Sequence, residues 1–343
     1  MSARVRHRLS VVLVVAAAAL AAAGTARAQS KTGTTMGQFL LIEPSARVAG
    51  MGNAGAGLAL QLDGVYYNPA AIASLERYEV SFTHSAWLAD IGYDFVAASF
   101  PAGRWGALYA SITSLNSGDI DVRTVQQPLG TGERYSVTDV ALGLGYGRQI
   151  TDRVSAGAQM NYVQETIWHS SASMFTLNIG TLYRVSDRGL HIGASLSNLG
   201  TQTGYDGRDL RITYDSDPSR YGDNGTLPGE VFTGQFPVPV LFRLGLGVPY
   251  EWGPDTRLDV EVDAYHPSDN TENMSFGAEL LMKRQLALRA GYQNLFLEDS
   301  EVGLTIGAGF QGDLGSSRYA VDYAWADHGR LGSTQRFTLG LKF

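Results

Sequence analysis

Large apolar residues alternate with small or polar ones from Tyr78 to the carboxy terminus, and this limits the fold more than any other feature of the chain. Between Val140 and Tyr146 the even positions are Val140, Leu142, Leu144 and Tyr146, with Ala141, Gly143 and Gly145 between them. The pattern recurs over Val154 to Tyr162, Val240 to Tyr250, Leu258 to Ala264 and Val302 to Phe310. A helix would scatter such a series around its axis, whereas an extended chain gathers it on one face. Fourteen strands are predicted: 78–88, 92–100, 104–115, 135–149, 153–168, 172–184, 189–199, 238–250, 256–267, 272–282, 286–294, 301–312, 317–327 and 333–343. Most are 9 to 13 residues long, close to the roughly 9 to 11 that cross a hydrocarbon core at a barrel's tilt.

Alternation alone does not say which face is buried. The face opposite the apolar one carries Gln159, Asn161, Glu165, His191, Arg243, Asp259, Glu261, Asp263, Glu279, Arg289, Gln293 and Asp322. A soluble sandwich would bury the apolar face, and a membrane barrel would turn it to lipid. Connection lengths favour the barrel. Turns after even-numbered strands span three to five residues, while the long connections 116–134 and 200–237 follow odd-numbered ones, as periplasmic turns and outer loops do. Trp87, Trp105, Trp168, Trp252 and Trp325 lie near strand ends, where indoles favour a membrane interface. The last strand ends Phe337-x-Leu339-x-Leu341-x-Phe343, which resembles the terminal signal read by the outer-membrane assembly machinery. The expectation is an all-β membrane protein: an antiparallel transmembrane barrel of about 14 strands over 78–343, in contact with outer-membrane lipid.

The first 28 residues read differently. Arg4, Arg6 and Arg8 precede an uncharged apolar run from Leu9 to Ala23, and Ala26-Arg27-Ala28 is a small-x-small cleavage site, the pattern of a signal peptide. The run is shorter than the roughly 20 residues a spanning helix needs. Its removal takes away four arginines and no acids, so the formal charge of −7 becomes −11, which argues against nucleic acid as a partner. The chain has no cysteine, so an exported protein of this sequence relies on its fold rather than on disulfides.

Residues 29–77 do not alternate. They are small and turn-rich, too apolar for a tail and too short for a domain, and are expected to sit inside the barrel as a plug. Glycines at 143, 145, 147, 245, 247, 303, 307 and 309 on the inner face would leave it room, and Gly245→Ser is expected to be mild. Within this segment lie Gly50-Met51-Gly52 and Asn68-Pro69-Ala70. The run FLLIEPSARVAGMGNAGAGLALQLDGVYYNPAAIASLERYEVSFTHSAWL, residues 39–88, resembles the amino-terminal signature of the PorV/PorQ family, outer-membrane barrels related to the FadL channel. Its Tyr67-Asn68-Pro69-Ala70 is similar to the Asn-Pro-Ala motif of the FadL-type plug. The resemblance implies a plugged barrel and, for PorV-like members, a place beside the type IX secretion translocon receiving exported cargo proteins. The alternative is a FadL-like transporter of hydrophobic small molecules. An inner face of glycine, small and charged residues tilts the expectation toward secretion.

Three motifs could carry other chemistry. Gly50-x-Gly52-x-x-Gly55 has the letters of a dinucleotide fingerprint but no preceding strand, and no cofactor is expected. Asp259, Glu261 and Asp263 line one strand face about 6.5 to 7 Å apart and could hold a cation, although a hydrated wall compensated by Arg243 and Arg289 is the simpler reading and no metal is expected. His84-Ser85 invites comparison with barrel lipases, yet adjacent strand residues face opposite ways, so the chain is expected to be non-enzymatic.

Overall fold

The computed structural model describes residues 32–343 apart from 187–188, 216, 218, 220–225 and 298–299. The expected signal peptide, 1–28, lies outside the described residues, as do 29–31 of the segment that follows it. Among the described residues, fourteen long strands form the wall: β1 (Glu79–Ala86), β2 (Gly92–Pro101), β3 (Ala107–Asn116), β4 (Val137–Gln149), β5 (Val154–Ile167), β6 (Ser170–Arg184) and β7 (His191–Gly200). They continue as β8 (Leu241–Glu251), β9 (Thr256–Pro267), β10 (Asn273–Met282), β11 (Leu286–Leu295), β12 (Leu304–Leu314), β13 (Ser317–Asp327) and β14 (Ser333–Lys342).

Each strand pairs antiparallel with its neighbours in sequence, and β1 pairs with β14 from Glu79 opposite Lys342 to Ala86 opposite Gln335. The sheet therefore closes on itself. Closure satisfies every strand edge, which a wall surrounded by lipid requires. The long connections carry short ribbons of their own, Ile120–Asp121 against Arg134–Tyr135 and Arg211–Tyr214 against Leu227–Glu230, which the alternation did not foretell.

Burial settles which face is which. Leu142, Leu144, Met160, Phe175, Leu244, Leu246, Ile306, Phe310 and Leu339 are exposed, whereas Gln159, Asn161, Glu165, Arg243, Glu261, Glu279 and Asp322 are buried. A soluble sandwich would show the reverse. Trp105, Trp168 and Trp252 are exposed near strand ends, but Trp87 departs from expectation. It leaves the wall after β1 and packs inward against the apolar core, with Arg336 over its ring at 5.0 Å and His328 edge-on at 5.5 Å.

One irregularity bends the wall between β6 and β7. Asn178 faces both Ser197 and Asn198, and Asn198 takes a left-handed φ of 62°. Its backbone N–H donates to the Asn178 side chain at 2.7 Å, so both residues turn inward without leaving a buried donor unpaired.

Candidate functional site: the filled lumen and its outer cleft

Residues 32–77 run down the barrel interior from the long-loop end to the short-turn end. At the top, the Met36 N–H donates to Pro237 O at 2.9 Å, Gly37 N–H to Glu165 Oε1 at 2.7 Å, and Thr35 Oγ1 to Asp269 Oδ2 at 2.9 Å. At the bottom, Lys342 Nζ donates to Gln61 Oε1 at 2.7 Å. Between them the segment folds into short turns because Pro44, Pro69 and five glycines from Gly50 to Gly64 interrupt any longer element. Ser45 caps a four-residue helix, Ala46–Ala49, and Asn68 caps a 3₁₀ turn, Pro69–Ser74, with Pro69 in its first turn.

The wall holds this segment in two ways. Carboxylates and hydroxyls accept from its backbone: Asp263 Oδ2 from Gly55 and Ala56 N–H at 2.9 and 3.0 Å, Glu261 from Gly57 N–H, Thr305 from Gly52 N–H and Thr338 from Ala46 N–H. Arg47 reaches Glu279 with two hydrogen bonds of 2.9 and 2.6 Å, and Glu279 also pairs with Arg289, which pairs with Asp322. Asp259 instead pairs with Arg257. The three β9 carboxylates thus divide between anchoring the segment and closing the rim, and among the described residues no metal-ligand cluster forms.

Glycine supplies the second hold. Gly147, Gly157 and Gly180 are neighbours across β4, β5 and β6, and Cβ atoms there would press on Ile72, Pro69 and Asn68. Gly193 and Gly245 lie opposite each other beneath Ala56 and Gly57, and Gly277 and Gly291 beneath Met51 and Gly52. Gly245→Ser, expected to be mild, would instead strike the Gly57 amide and Ala56. Not all of the predicted glycines serve this purpose: Gly143, Gly145 and Gly309 are covered by wall side chains, and Gly303 lies against Tyr292.

Both predicted motifs of the segment are at these contacts. Met51 is fully buried with Val48, Leu58, Leu60 and Tyr67, each such side chain worth roughly 1.5 to 3 kcal/mol of burial. Gly50 packs on Gly307, and Gly52 has φ +66° with wall backbone where a Cβ would be, so both features demand glycine. No strand–turn–helix surrounds them. Asn68 is fully buried: its Oδ1 accepts from Ala70 N–H at 3.0 Å and its Nδ2 donates to Ala56 O and Thr181 O, both at 2.9 Å. Phe337, Leu339, Leu341 and Phe343 form an exposed stripe beside β1, and Phe343 stacks on Tyr78 at 6.2 Å. His84 is exposed and bonds Asp94 at 2.7 Å, while Ser85 is buried on the other face.

The inner wall also differs from the expected glycine and charge. In the outer half of β2 to β6, Tyr93, Phe95, Leu115, Ala141, Val163, Ala172 and Met174 point inward and pack with Met36, Phe39 and Leu40 of the segment. Both faces are apolar here, so alternation assigned the large residues to lipid and passed over these. Below them an amide belt, Gln159, Asn161 and Asn178, is hydrogen-bonded to Ser111 and Thr176 around a residual cavity of about 30 Å³.

Above this sector the outer loops flank an open cleft of about 780 Å³, lined by the apolar Ile120, Val122, Tyr135, Ile167, Trp168, Tyr205 and Leu210 together with the charged Asp121, Arg123 and Asp209. Tyr205 is its floor: the side chain packs on the buried apolar cluster and its hydroxyl donates to Glu165 Oε2 at 3.4 Å. Burial, then the Glu165 and Asp139 carboxylates, raise its hydroxyl above the ordinary tyrosine value. A second opening of about 220 Å³ on the β8 to β11 side is polar and reaches down to Asn53, Gln293 and Glu43, whose carboxyl is raised by burial against the opposing Arg336 and Arg243 charges.

Solved structures of similar fold are outer-membrane channels. A deletion mutant of the TodX monoaromatic hydrocarbon channel aligns with TM-score 0.57 at 13% identity, over 87% of this chain and 97% of that one. The toluene transporter TodX of Pseudomonas putida aligns at 0.55 and 12%, over 88% and 98%, and a FadL homologue of Pseudomonas aeruginosa at 0.53 and 11%, over 88% and 98%. No protein-family model and no curated protein matches the chain. The fold is that of FadL-like outer-membrane barrels. None of these three is a PorV or PorQ protein, so the secretion expectation gains nothing from them.

Proposed function

We propose that this chain is an outer-membrane channel for hydrophobic small molecules, entered through the outer cleft and gated by residues 32–77 acting as a plug. The observation that carries this reading is the continuity between the cleft and the apolar inner sector through Tyr205. An apolar molecule seated on the apolar part of the cleft, beside Asp121, Arg123 and Asp209, would exchange water for apolar side chains, and it would find more of them one layer deeper. Toluene and other monoaromatic hydrocarbons are the cargo named for TodX, a barrel of this fold, and the cleft has room for such a molecule. The secretion reading now has less behind it, because it leaned on an inner face thought to lack bulky apolar residues. Passage requires the segment to move, since it fills the lumen. The signal peptide, the recognition of Phe337, Leu339, Leu341 and Phe343 by the assembly machinery, and the periplasmic placement of the short turns belong to the same proposal.

Trp168 lines the cleft and gives a direct test. Bromobenzene added to the purified protein should quench tryptophan emission saturably, and Trp168→Phe should remove that saturable part. Quenching that rises linearly with concentration and is the same in the variant would mean partitioning into detergent, and would refute the cleft as an entry site.

A further inference from the structure

Along the short-turn rim three basic side chains face a carboxylate: Arg257 meets Asp259 at 2.8 Å, Arg318 meets Asp313 at 2.8 Å and Lys342 meets Glu79 at 2.8 Å. Arg184 and Arg284 donate to backbone carbonyls instead, while Arg104 and Arg148 are exposed and, among the described residues, have no carboxylate partner. The last two are neighbours. Arg104 lies in the turn before β3, with its guanidinium over Trp105 at 4.9 Å. Arg148 is on the outward face of β4, two residues past Tyr146, and a Cβ on Gly106 would lie 3.1 Å from its own Cβ. The Tyr146 hydroxyl donates to the Trp105 carbonyl and ties the two halves together.

This charged patch stands at the foot of an apolar track. Leu108 faces Tyr146 across the strand pair, and Leu144, 71% exposed, follows toward the membrane centre. On the next strand, Ala156 lies opposite Arg148 and Ala158 opposite Tyr146, and Ile179 of β6 lies opposite Ala158. Two small residues between large ones leave a shallow groove, walled by Tyr146 and Ile179, that begins at Arg148.

We propose that this patch holds one anionic phospholipid, its phosphate between Arg104 and Arg148 and one acyl chain along the Ala156–Ala158 groove. Guanidinium groups match phosphate oxygens in geometry as well as charge, and the exposed indole and phenol suit the interface between headgroup and chain. A soluble anion would satisfy the arginines but leave the groove empty; a neutral lipid would fill the groove and leave two positive charges uncompensated. The proposal takes the short-turn end as periplasmic, where the leaflet is phospholipid, and is independent of what the channel carries.

Native mass spectrometry of the full chain, titrated with dioleoyl phosphatidylglycerol or dioleoyl phosphatidylcholine, tests it. One phosphatidylglycerol should be retained in preference, by about fivefold for each arginine. The double variant Arg104→Gln, Arg148→Gln should bring the two lipids level, while Arg318→Gln should keep the preference. Ala158→Phe should weaken retention of both lipids with the charge intact. Equal retention of the two lipids by the native chain, or an undiminished preference in the double variant, would overturn the site. Displacement of phosphatidylglycerol by lipid A through the same arginines would overturn it too, by placing this rim outside, without bearing on the cleft.

Discussion

Arg47 joins the amino-terminal segment to the wall through Glu279, which Arg289 also grips, so one plug residue is tied into a chain of buried charges. Arg47→Met leaves Glu279 one partner. Because the Arg47 side chain is a quarter exposed, the loss should be about 1.5 to 2 kcal/mol, the low end for hydrogen bonds to charged groups. Hydrogen exchange should show faster opening of amides 46–57 with the wall strands unchanged. Gly245→Ser should loosen the same region by steric contact, and it should raise single-channel conductance while membrane levels stay normal. Sequence made Asn68 legible, since an amide before proline is a local signal. It did not make Arg47 legible: the partner is 232 residues away and nothing near Arg47 distinguishes it from a surface arginine.

Among elements, the strands were readable to within about three residues because lipid on one side and side chains on the other impose a period of two on every one. Leu244 lies on the lipid side of β8 and Gly245 on the plug side, so the two variants at this point should fail differently. Leu244→Arg should destabilise the barrel by roughly 2 to 4 kcal/mol if near the midplane, measured by urea unfolding in bilayers. The plug's internal turns were not readable, since stretches of four to six residues have no period to detect. Deleting 32–72 with residues 1–31 retained should leave an inserted barrel of higher conductance in planar bilayers. A conductance as low as that of the native chain would mean that the wall side chains close the lumen unaided.

For the whole molecule, closure and strand number followed from the sequence, while the division of the interior did not. The apolar sector of β2 to β6 and the glycine rows beneath the plug belong to one inner surface, and which residues meet there depends on register around the barrel rather than on any local run. That division is what points from secretion to transport. Uptake of carbon-14 toluene by cells with an intact lipopolysaccharide layer tests the central claim most directly. Cells producing this chain should accumulate toluene faster than cells without it, and a charged bulky substitution in the cleft floor, Tyr205→Arg, should remove the difference at equal membrane levels. Equal rates with and without the native chain, at verified insertion, would contradict a hydrophobic-molecule channel.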